Sequence, residues 1–138
     1  MPLALPFYKP IGRDNLHPGY TSLPNGNAHV ASVIPRIMKI PNRADTAIIV
    51  ASDENGGAWD HVPPPKGDLR GAGLRVPAII FSPYAKRSFV DHTSCDTASI
   101  MRALQVRLNL PLLGRRDALV ADLCNAFMGA GTLPPPKQ

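Results

Sequence analysis

Two adjacent carboxylates, Asp53 and Glu54, follow a short apolar segment and are themselves followed by Asn55-Gly56-Gly57. Carboxylates this close repel each other unless a cation or protons lie between them. Oxygen ligands suit a hard or borderline divalent metal, so the pair predicts a metal site. The alternative is a solvent-exposed turn, because asparagine and glycine are ordinary turn residues.

A second polar pair, Asp60 and His61, comes six residues after Glu54 and just before three consecutive prolines. In metal sites and acid–base sites, a carboxylate beside histidine orients one of the ring nitrogens. Asp60 and His61 are therefore candidate catalytic residues. The alternative is a loop aspartate beside a half-exposed histidine.

The other three histidines differ in their sequence surroundings. His17 precedes Pro18 and Gly19, and the proline restricts the backbone so that the ring can be aimed at a ligand; a plain turn is the alternative. His29 lies near the start of a predicted helix, close to its apolar stripe, which favours a structural role. His92 lies just before a predicted helix cap, which favours a supporting role there over direct catalysis.

Two buried strands are predicted, at residues 46–51 and 76–81, because each is a short, β-branched apolar run bounded by turn residues. Such runs are typical of strands covered on both faces in a parallel sheet. Ligands of α/β sheets bind beyond the carboxyl ends of the strands, which is where Asp53 and Glu54 lie.

A helix is predicted at residues 27–38, with Pro35 kinking or shortening it. Its apolar stripe consists of Val30, Val33, Ile34 and Ile37.

Two more helices are predicted further along the chain. One follows a capping box at residues 93–96 and stops before Pro111. Its apolar residues recur every four positions at Ile100, Leu104 and Leu108, while Arg102, Gln105 and Arg107 point elsewhere. The other follows Asp117, with the same spacing at Leu119, Leu123 and Phe127.

Helices alternating with strands predict the α/β class, with a layered, mostly parallel sheet flanked by helices. Sixteen prolines in 138 residues argue against a helix bundle. Two cysteines without CxxC spacing, Cys95 and Cys124, are expected to be buried free thiols rather than a disulfide.

The net charge of +5 would attract phosphate-bearing partners. The arginines are scattered, however, without a basic block or interleaved aromatic residues, so no nucleic-acid partner is predicted. No apolar run approaches the ~20 residues of a transmembrane segment. The apolar start, residues 1–8, is too short and too interrupted by prolines for a secretory signal.

Residues 46–65, TAIIVASDENGGAWDHVPPP, resemble the signature of the phosphoesterase family of bacterial acid phosphatases and phospholipases C, within the alkaline-phosphatase-like superfamily. Further segments similar to that family are residues 7–12, 15–20, 73–83, 90–100 and 117–127. The resemblance covers nearly the whole chain and is closer to the acid-phosphatase branch. It implies an incomplete alkaline-phosphatase-like domain, the C-terminal part of a phosphoesterase domain at residues 1–133, followed by a disordered tail at residues 134–138.

The resemblance also implies roles for individual residues. Asp53 and Glu54 match the family's ligands to a divalent metal ion, whose identity stays open, and His17 matches a residue of the phosphate pocket. Asp60 and His61 match the signature without an assigned role. Ala51 and Ser52 stand where the family usually has threonine and tyrosine, which changes packing beside the metal without removing a ligand.

The activity implied is hydrolysis of phosphate ester bonds, in a phosphate monoester or a phospholipid. The family's Glu-Asn metal motif and its serine or threonine nucleophile have no counterpart in this sequence. We therefore expect a C-terminal fragment that needs a missing N-terminal region or chain and is inactive by itself. The alternatives are a non-catalytic remnant and a domain that binds phosphate-rich surfaces. Family members are commonly periplasmic or secreted, but this sequence carries no export signal, so the compartment stays open.

Overall fold

The computed structural model describes residues 5–66, 69 and 71–129. It contains the helices α1 (Leu23–Ile37), α2 (Ala98–Leu108) and α3 (Arg115–Leu119) and the strands β1 (Ile48–Ala51) and β2 (Ala78–Phe81). Single 3₁₀ turns lie at Gly12–Asp14, Pro41–Asp45 and Cys124–Ala126. Helices together with paired strands confirm the predicted α/β character, while a layered, mostly parallel sheet stays a prediction.

Both predicted strands form, and they pair in a two-stranded sheet. Their predicted burial on both faces is wrong for this structure. In β1 three residues are half-buried and Ala51 is exposed, and in β2 Ile79 is 54% exposed. Because the described sheet has only two strands, each strand has a single neighbour and little apolar cover.

Helix α1 begins four residues before the predicted start at Asn27. The hydroxyl oxygen of Ser22 accepts a hydrogen bond from the Asn25 N–H, which caps the first turn, and Pro24 follows close to the cap. Serine at the cap and proline in the first turn are both favourable there. Pro35 lies inside the helix, which continues to Ile37. The predicted stripe is half-buried, so the amphipathic pattern is confirmed.

Helix α2 ends at Leu108, before Pro111 as predicted, and Asn109 follows it in the left-handed conformation. The predicted capping box at residues 93–96 is wrong by three residues. The Asp96 carboxylate accepts from the Ala98 N–H at 2.7 Å, and the Asp96 N–H donates to the Ser99 hydroxyl at 3.0 Å. Asp96 therefore caps the helix, whereas the prediction places Thr93 at the cap and Asp96 at the third position after it.

The buried face of α2 is partly polar, which the apolar spacing did not predict. Ser99, Ala103 and Gln105 are buried, and Gln105 donates through Nε2 to Oδ2 of Asp117. The backbone N–H groups of Leu113 and Gly114 donate to the same carboxylate. These hydrogen bonds, Gln105 first, lower the pKa of Asp117.

The third helix differs from its prediction. Helix α3 already contains Asp117 near its start and ends at Leu119, after which Val120 is extended. The residues predicted to share one helical stripe therefore separate: Leu119 is 74% exposed, whereas Phe127 is 4% exposed and pairs in a β-bridge with Ala85. The four-residue spacing arises here without a continuous helix.

Cys95 and Cys124 are both thiols, as predicted, but Cys95 is exposed and Cys124 is half-buried, so their predicted burial is wrong. The described residues form two compact units, within residues 2–79 and within residues 80–138, divided within β2. None of the helices in the described ranges has the length and apolar character that crossing a membrane requires. The predicted tail at residues 134–138 lies outside the described residues.

Candidate functional site

The carboxylate pair lies in a turn that begins directly after β1. Asp53 and Glu54 are both exposed, and Oε2 of Glu54 accepts a hydrogen bond from the Gly56 N–H at 2.7 Å. Asn55 closes the turn through its side-chain Nδ2, which donates to the Ala58 carbonyl at 2.6 Å. The turn therefore presents two carboxylates at the carboxyl end of a strand, as the sequence predicts.

Lys9 lies against Asp53, the first residue of this pair. Its Nζ is 3.2 Å from Oδ2 of Asp53, with 80% and 77% of the two side chains exposed. The hydrogen bond from Lys9 is the main cause that lowers the pKa of Asp53. An ion pair this exposed contributes under about 1 kcal/mol to stability, so Lys9 is readily available to another anion.

His17 is held in a turn of its own. Its backbone N–H donates to Oδ1 of Asn15 at 2.9 Å, and its ring Nδ1 lies 2.6 Å from the Pro18 carbonyl oxygen. Because a carbonyl only accepts, Nδ1 carries the proton of this hydrogen bond. In the neutral ring Nε2 is then an acceptor, whereas in the imidazolium form Nε2 donates and suits a phosphoryl oxygen.

Helix α1 supports the His17 turn through Gly26. A Cβ atom at Gly26 would lie 2.4 Å from Cδ2 of Leu16 and 2.5 Å from the carbonyl oxygen of Asn15. Both distances are shorter than any tolerated contact, so only glycine allows the helix to approach this closely. The first turn of α1 therefore sets the position of the backbone just before His17.

The carboxylate turn and the His17 turn lie next to each other. Gly56 has φ +63°, and a Cβ atom there would be 3.4 Å from Cδ of Pro18. The structure thus brings the segment carrying Asp53 and Glu54 beside the residue that follows His17, and all of them lie in the unit of residues 2–79.

Asp60 is engaged by Arg75. The guanidinium donates through Nε and through a terminal nitrogen, each at 2.7 Å, to the two carboxylate oxygens of Asp60. This two-pronged hydrogen bonding holds the pKa of Asp60 well below its usual range and raises the pKa of Arg75. Asp60 is 12% exposed and 3.7 Å from Nδ1 of His61, whose side chain is 75% exposed.

The Asp60 geometry resembles a structural ion pair more than an acid–base pair. An aspartate whose oxygens are already occupied by arginine is weakly basic and tightly placed. His61 reaches one of those oxygens only beyond hydrogen-bonding distance and packs at an angle near Trp59, with ring centroids 6.4 Å apart. Catalytic roles for Asp60 and His61 stay predictions.

The two carboxylates are chemically suited to a divalent metal, but they are too few to complete its coordination. Two carboxylates supply hard oxygen donors, whereas hard divalent cations take about six or more ligands. Within the described ranges no group of three or more histidine, cysteine, aspartate or glutamate side chains is placed to hold a metal ion. Asp53 and Glu54 therefore fit such an ion as part of a larger ligand set.

His29 lies in a helix, as predicted, but in the second turn of α1 rather than near its start, and His92 lies four residues before Asp96 rather than directly before the helix cap. His29 lies in α1, where Nε2 shares a 2.7 Å hydrogen bond with the Tyr8 hydroxyl and Nδ1 lies 4.0 Å from Oδ2 of Asp14. His92 is exposed and lies six residues before α2. The supporting role predicted for His92 stays a prediction.

Lys9 and Arg75 were not predicted as site residues. Lys9 pairs with Asp53 over 44 positions and Arg75 with Asp60 over 15, and no local pattern predicts pairing at such separations. The only available signal was charge: each is a basic residue in a segment similar to the phosphoesterase family.

A sequence model of the Phosphoesterase family matches residues 2–111. The match spans most of the chain and includes every candidate site residue, so the chain belongs to the Phosphoesterase family. The resemblance inferred from the sequence is thereby confirmed, while its closer similarity to the acid-phosphatase branch stays a prediction.

Several relatives are named as phospholipases C. Phospholipase C B of Mycobacterium tuberculosis is 33% identical over 119 positions, covering 67% of this chain and 23% of its own length. Non-hemolytic phospholipase C of Pseudomonas aeruginosa is 30% identical over 146 positions, covering 80% and 21%. Non-specific phospholipase C6 of Arabidopsis thaliana is 28% identical over 131 positions, covering 76% and 25%. The chain thus spans about a quarter or less of these relatives.

Proposed function

We propose that the chain forms part of the active site of a metal-dependent phosphoesterase, which hydrolyses a phosphate ester of the phospholipid or phosphate-monoester class. The observation that carries the proposal is the Asp53–Glu54 turn at the carboxyl end of β1, next to the His17 turn. Family membership and the phospholipase C relatives support the reaction class.

In this proposal Asp53 and Glu54 hold a divalent ion, which would neutralise negative charge on the phosphate when bound. His17, as imidazolium, donates through Nε2 to a phosphoryl oxygen, because Nδ1 is committed to Pro18. Arg75 keeps Asp60 ionised and in place, so that Asp60 and His61 border the site.

The nucleophile is proposed to come from outside this chain. In-line attack on phosphorus needs a serine or threonine hydroxyl with its own activating groups, and we find no counterpart of the family's nucleophile in this sequence. In the same proposal β1 and β2 join a larger, mostly parallel sheet of the alkaline-phosphatase-like kind, supplied in part by an N-terminal region or chain. That region also supplies the remaining metal ligands.

A second candidate is a non-catalytic domain that binds phosphate-rich surfaces. The net charge of +5 favours it. Such binding would depend on the number of basic residues and on salt concentration, whereas the phosphoesterase proposal depends on Asp53 and Glu54.

Activity of the chain with and without the missing region tests the proposal. The purified chain is assayed with an aryl phosphate, an aryl phosphorylcholine and phosphatidylcholine, with divalent metals added. We expect turnover at the metal-only background for the chain alone and clear turnover when it is joined to the N-terminal region of a phospholipase C relative. Turnover by the highly purified chain alone would contradict the external nucleophile. An inactive but folded joined protein would contradict the proposed function.

A further inference from the structure

Lys9 places an ammonium group at the candidate site without a strong structural reason for it. Its Nζ contacts Asp53 at 3.2 Å, yet both side chains are largely exposed. Exposed ion pairs contribute little to the stability of a fold. The position of Lys9 is therefore better explained by a ligand at this turn than by stability.

The segment that carries Lys9 is anchored one residue earlier. The Tyr8 hydroxyl and Nε2 of His29 lie 2.7 Å apart, and the two rings stack with centroids 6.0 Å apart and an interplanar angle of 14°. Asp14 lies 4.0 Å from the other ring nitrogen of His29. Tyr8 thus contacts α1 while Lys9 reaches the end of β1, so this contact fixes the backbone from which Lys9 extends.

We infer that Lys9 is an anion-binding residue of this site, whose ammonium contacts a phosphoryl oxygen of the phosphate ester, and that Tyr8 and His29 position it. The inference rests on the proposed function and adds a cation that neither the family signature nor the local sequence indicates. A phosphate group at the Asp53–Glu54 turn offers Lys9 a more highly charged partner than one carboxylate. Lysine binds phosphate as a point charge, so it tolerates this change of partner.

Inorganic phosphate is the probe. The chain joined to the N-terminal region of a phospholipase C relative is titrated calorimetrically with phosphate in the presence of Mg²⁺, and the parent is compared with Lys9→Gln, Lys9→Arg and Lys39→Gln. We expect about tenfold weaker binding for Lys9→Gln, the loss typical of one charge-assisted hydrogen bond. Lys9→Arg keeps the charge and binds nearly as the parent does. Lys39→Gln, the matched control for net charge on the same unit, changes affinity by less than about twofold.

A double-mutant cycle tests the positioning of Lys9. Tyr8→Phe keeps the ring stacked but removes the hydrogen bond to His29, and it should weaken phosphate binding about threefold. If Tyr8 acts through Lys9, the variant with both Tyr8→Phe and Lys9→Gln binds no more weakly than Lys9→Gln. Fully additive losses would contradict the positioning role.

The inference is overturned if the parent binds no phosphate, if Lys9→Gln binds as the parent does, or if Lys39→Gln loses as much affinity as Lys9→Gln. Metal binding in the same samples separates this failure from failure of the proposed function. If Asp53→Asn loses metal while Lys9→Gln keeps normal phosphate affinity, only the inference fails. If Lys9→Gln keeps normal phosphate affinity and Asp53→Asn also binds metal normally, both the inference and the proposed function fail.

Discussion

At the scale of single residues, the site combines exposed carboxylates with one carboxylate that is fixed. Asp53 forms an exposed ion pair with Lys9, whereas Asp60 accepts hydrogen bonds from two nitrogens of the Arg75 guanidinium. The first arrangement leaves a carboxylate free to change partners, and the second holds it in place. This contrast supports Asp53 as the ligand residue and Asp60 as its structural neighbour.

The Asp60–Arg75 pair predicts a pH-dependent stability difference. The pKa of Asp60 is lower in the folded chain than in the unfolded chain, where it is about 3.9. The ion pair therefore stabilises the fold fully at a pH above about 3.9, and this stabilisation is lost as the pH falls from there towards the pKa of the folded chain. Arg75→Met should therefore lower the melting temperature at pH 5–7, and its difference from the parent should narrow below pH ~3.9. Thermal denaturation from pH 3 to 7 measures this, with Arg43→Met as the control. A difference that stays constant with pH would contradict the pairing.

At the scale of secondary-structure elements, the approach of α1 to the His17 turn depends on Gly26. Gly26→Ala would put a methyl group within 2.5 Å of Leu16 and Asn15. We expect the free energy of unfolding to fall by about 1–3 kcal/mol, as at other overpacked sites. This fall occurs although alanine favours a helix over glycine by about 1 kcal/mol. Urea denaturation measures the loss, and the NMR signals of His17 report the displaced turn.

Asn27→Ala is the matched control for Gly26→Ala, since it changes the next, exposed residue of the same helix. It should be neutral or slightly stabilising. If Gly26→Ala behaves in the same way and leaves the His17 signals in place, the close approach does not position the turn.

Local sequence patterns predicted the elements better than their ends and partners. The β-branched run predicted β1, because a strand depends on its own residues and its flanking turns. The pattern did not predict that Asp96 rather than Thr93 caps α2, because both arrangements satisfy nearly the same local spacing. The pattern also could not predict the hydrogen bond from Gln105 to Asp117, because a buried polar pair depends on where two helices meet.

The candidate site shows the same division between local and distant information. Asp53, Glu54 and His17 could be selected as candidates from the sequence, because each lies in a short segment with recognisable turn chemistry, and their roles stay predictions. Their closeness is seen where Gly56 lies beside Pro18, 38 positions apart in the chain, and no local pattern contains a contact at that separation.

At the scale of the whole molecule, the chain buries little apolar surface. Among the described residues only Ala103 and Phe127 are buried apolar side chains, while twenty large hydrophobic side chains are exposed. Exposed apolar surface of this extent marks a region that binds another protein segment or aggregates. This agrees with the proposal that further sequence completes the domain.

We therefore expect the isolated chain to be aggregation-prone or partly ordered. Strands with a single neighbour expose unpaired backbone groups, which favours self-association. Size-exclusion chromatography measures the aggregation, and amide hydrogen exchange measures the order of the chain. Co-expression with the N-terminal region of a relative should reduce the aggregation and increase the protection of the amides. A monodisperse monomer with strongly protected amides at residues 46–51 and 76–81 would show that the chain folds unaided.

The central claim, that Asp53 and Glu54 hold a divalent metal in a phosphoesterase site, is tested most directly by metal content. The chain joined to the N-terminal region of a phospholipase C relative is purified as the parent, Asp53→Asn, Glu54→Gln and the control Asp45→Asn, an exposed aspartate of the same unit. Bound metal is measured by elemental mass spectrometry beside the rate of aryl phosphate hydrolysis. We predict that Asp53→Asn and Glu54→Gln each lower metal content and rate by about tenfold or more, while Asp45→Asn leaves both unchanged. Parental metal content and rate in both variants would contradict the assignment.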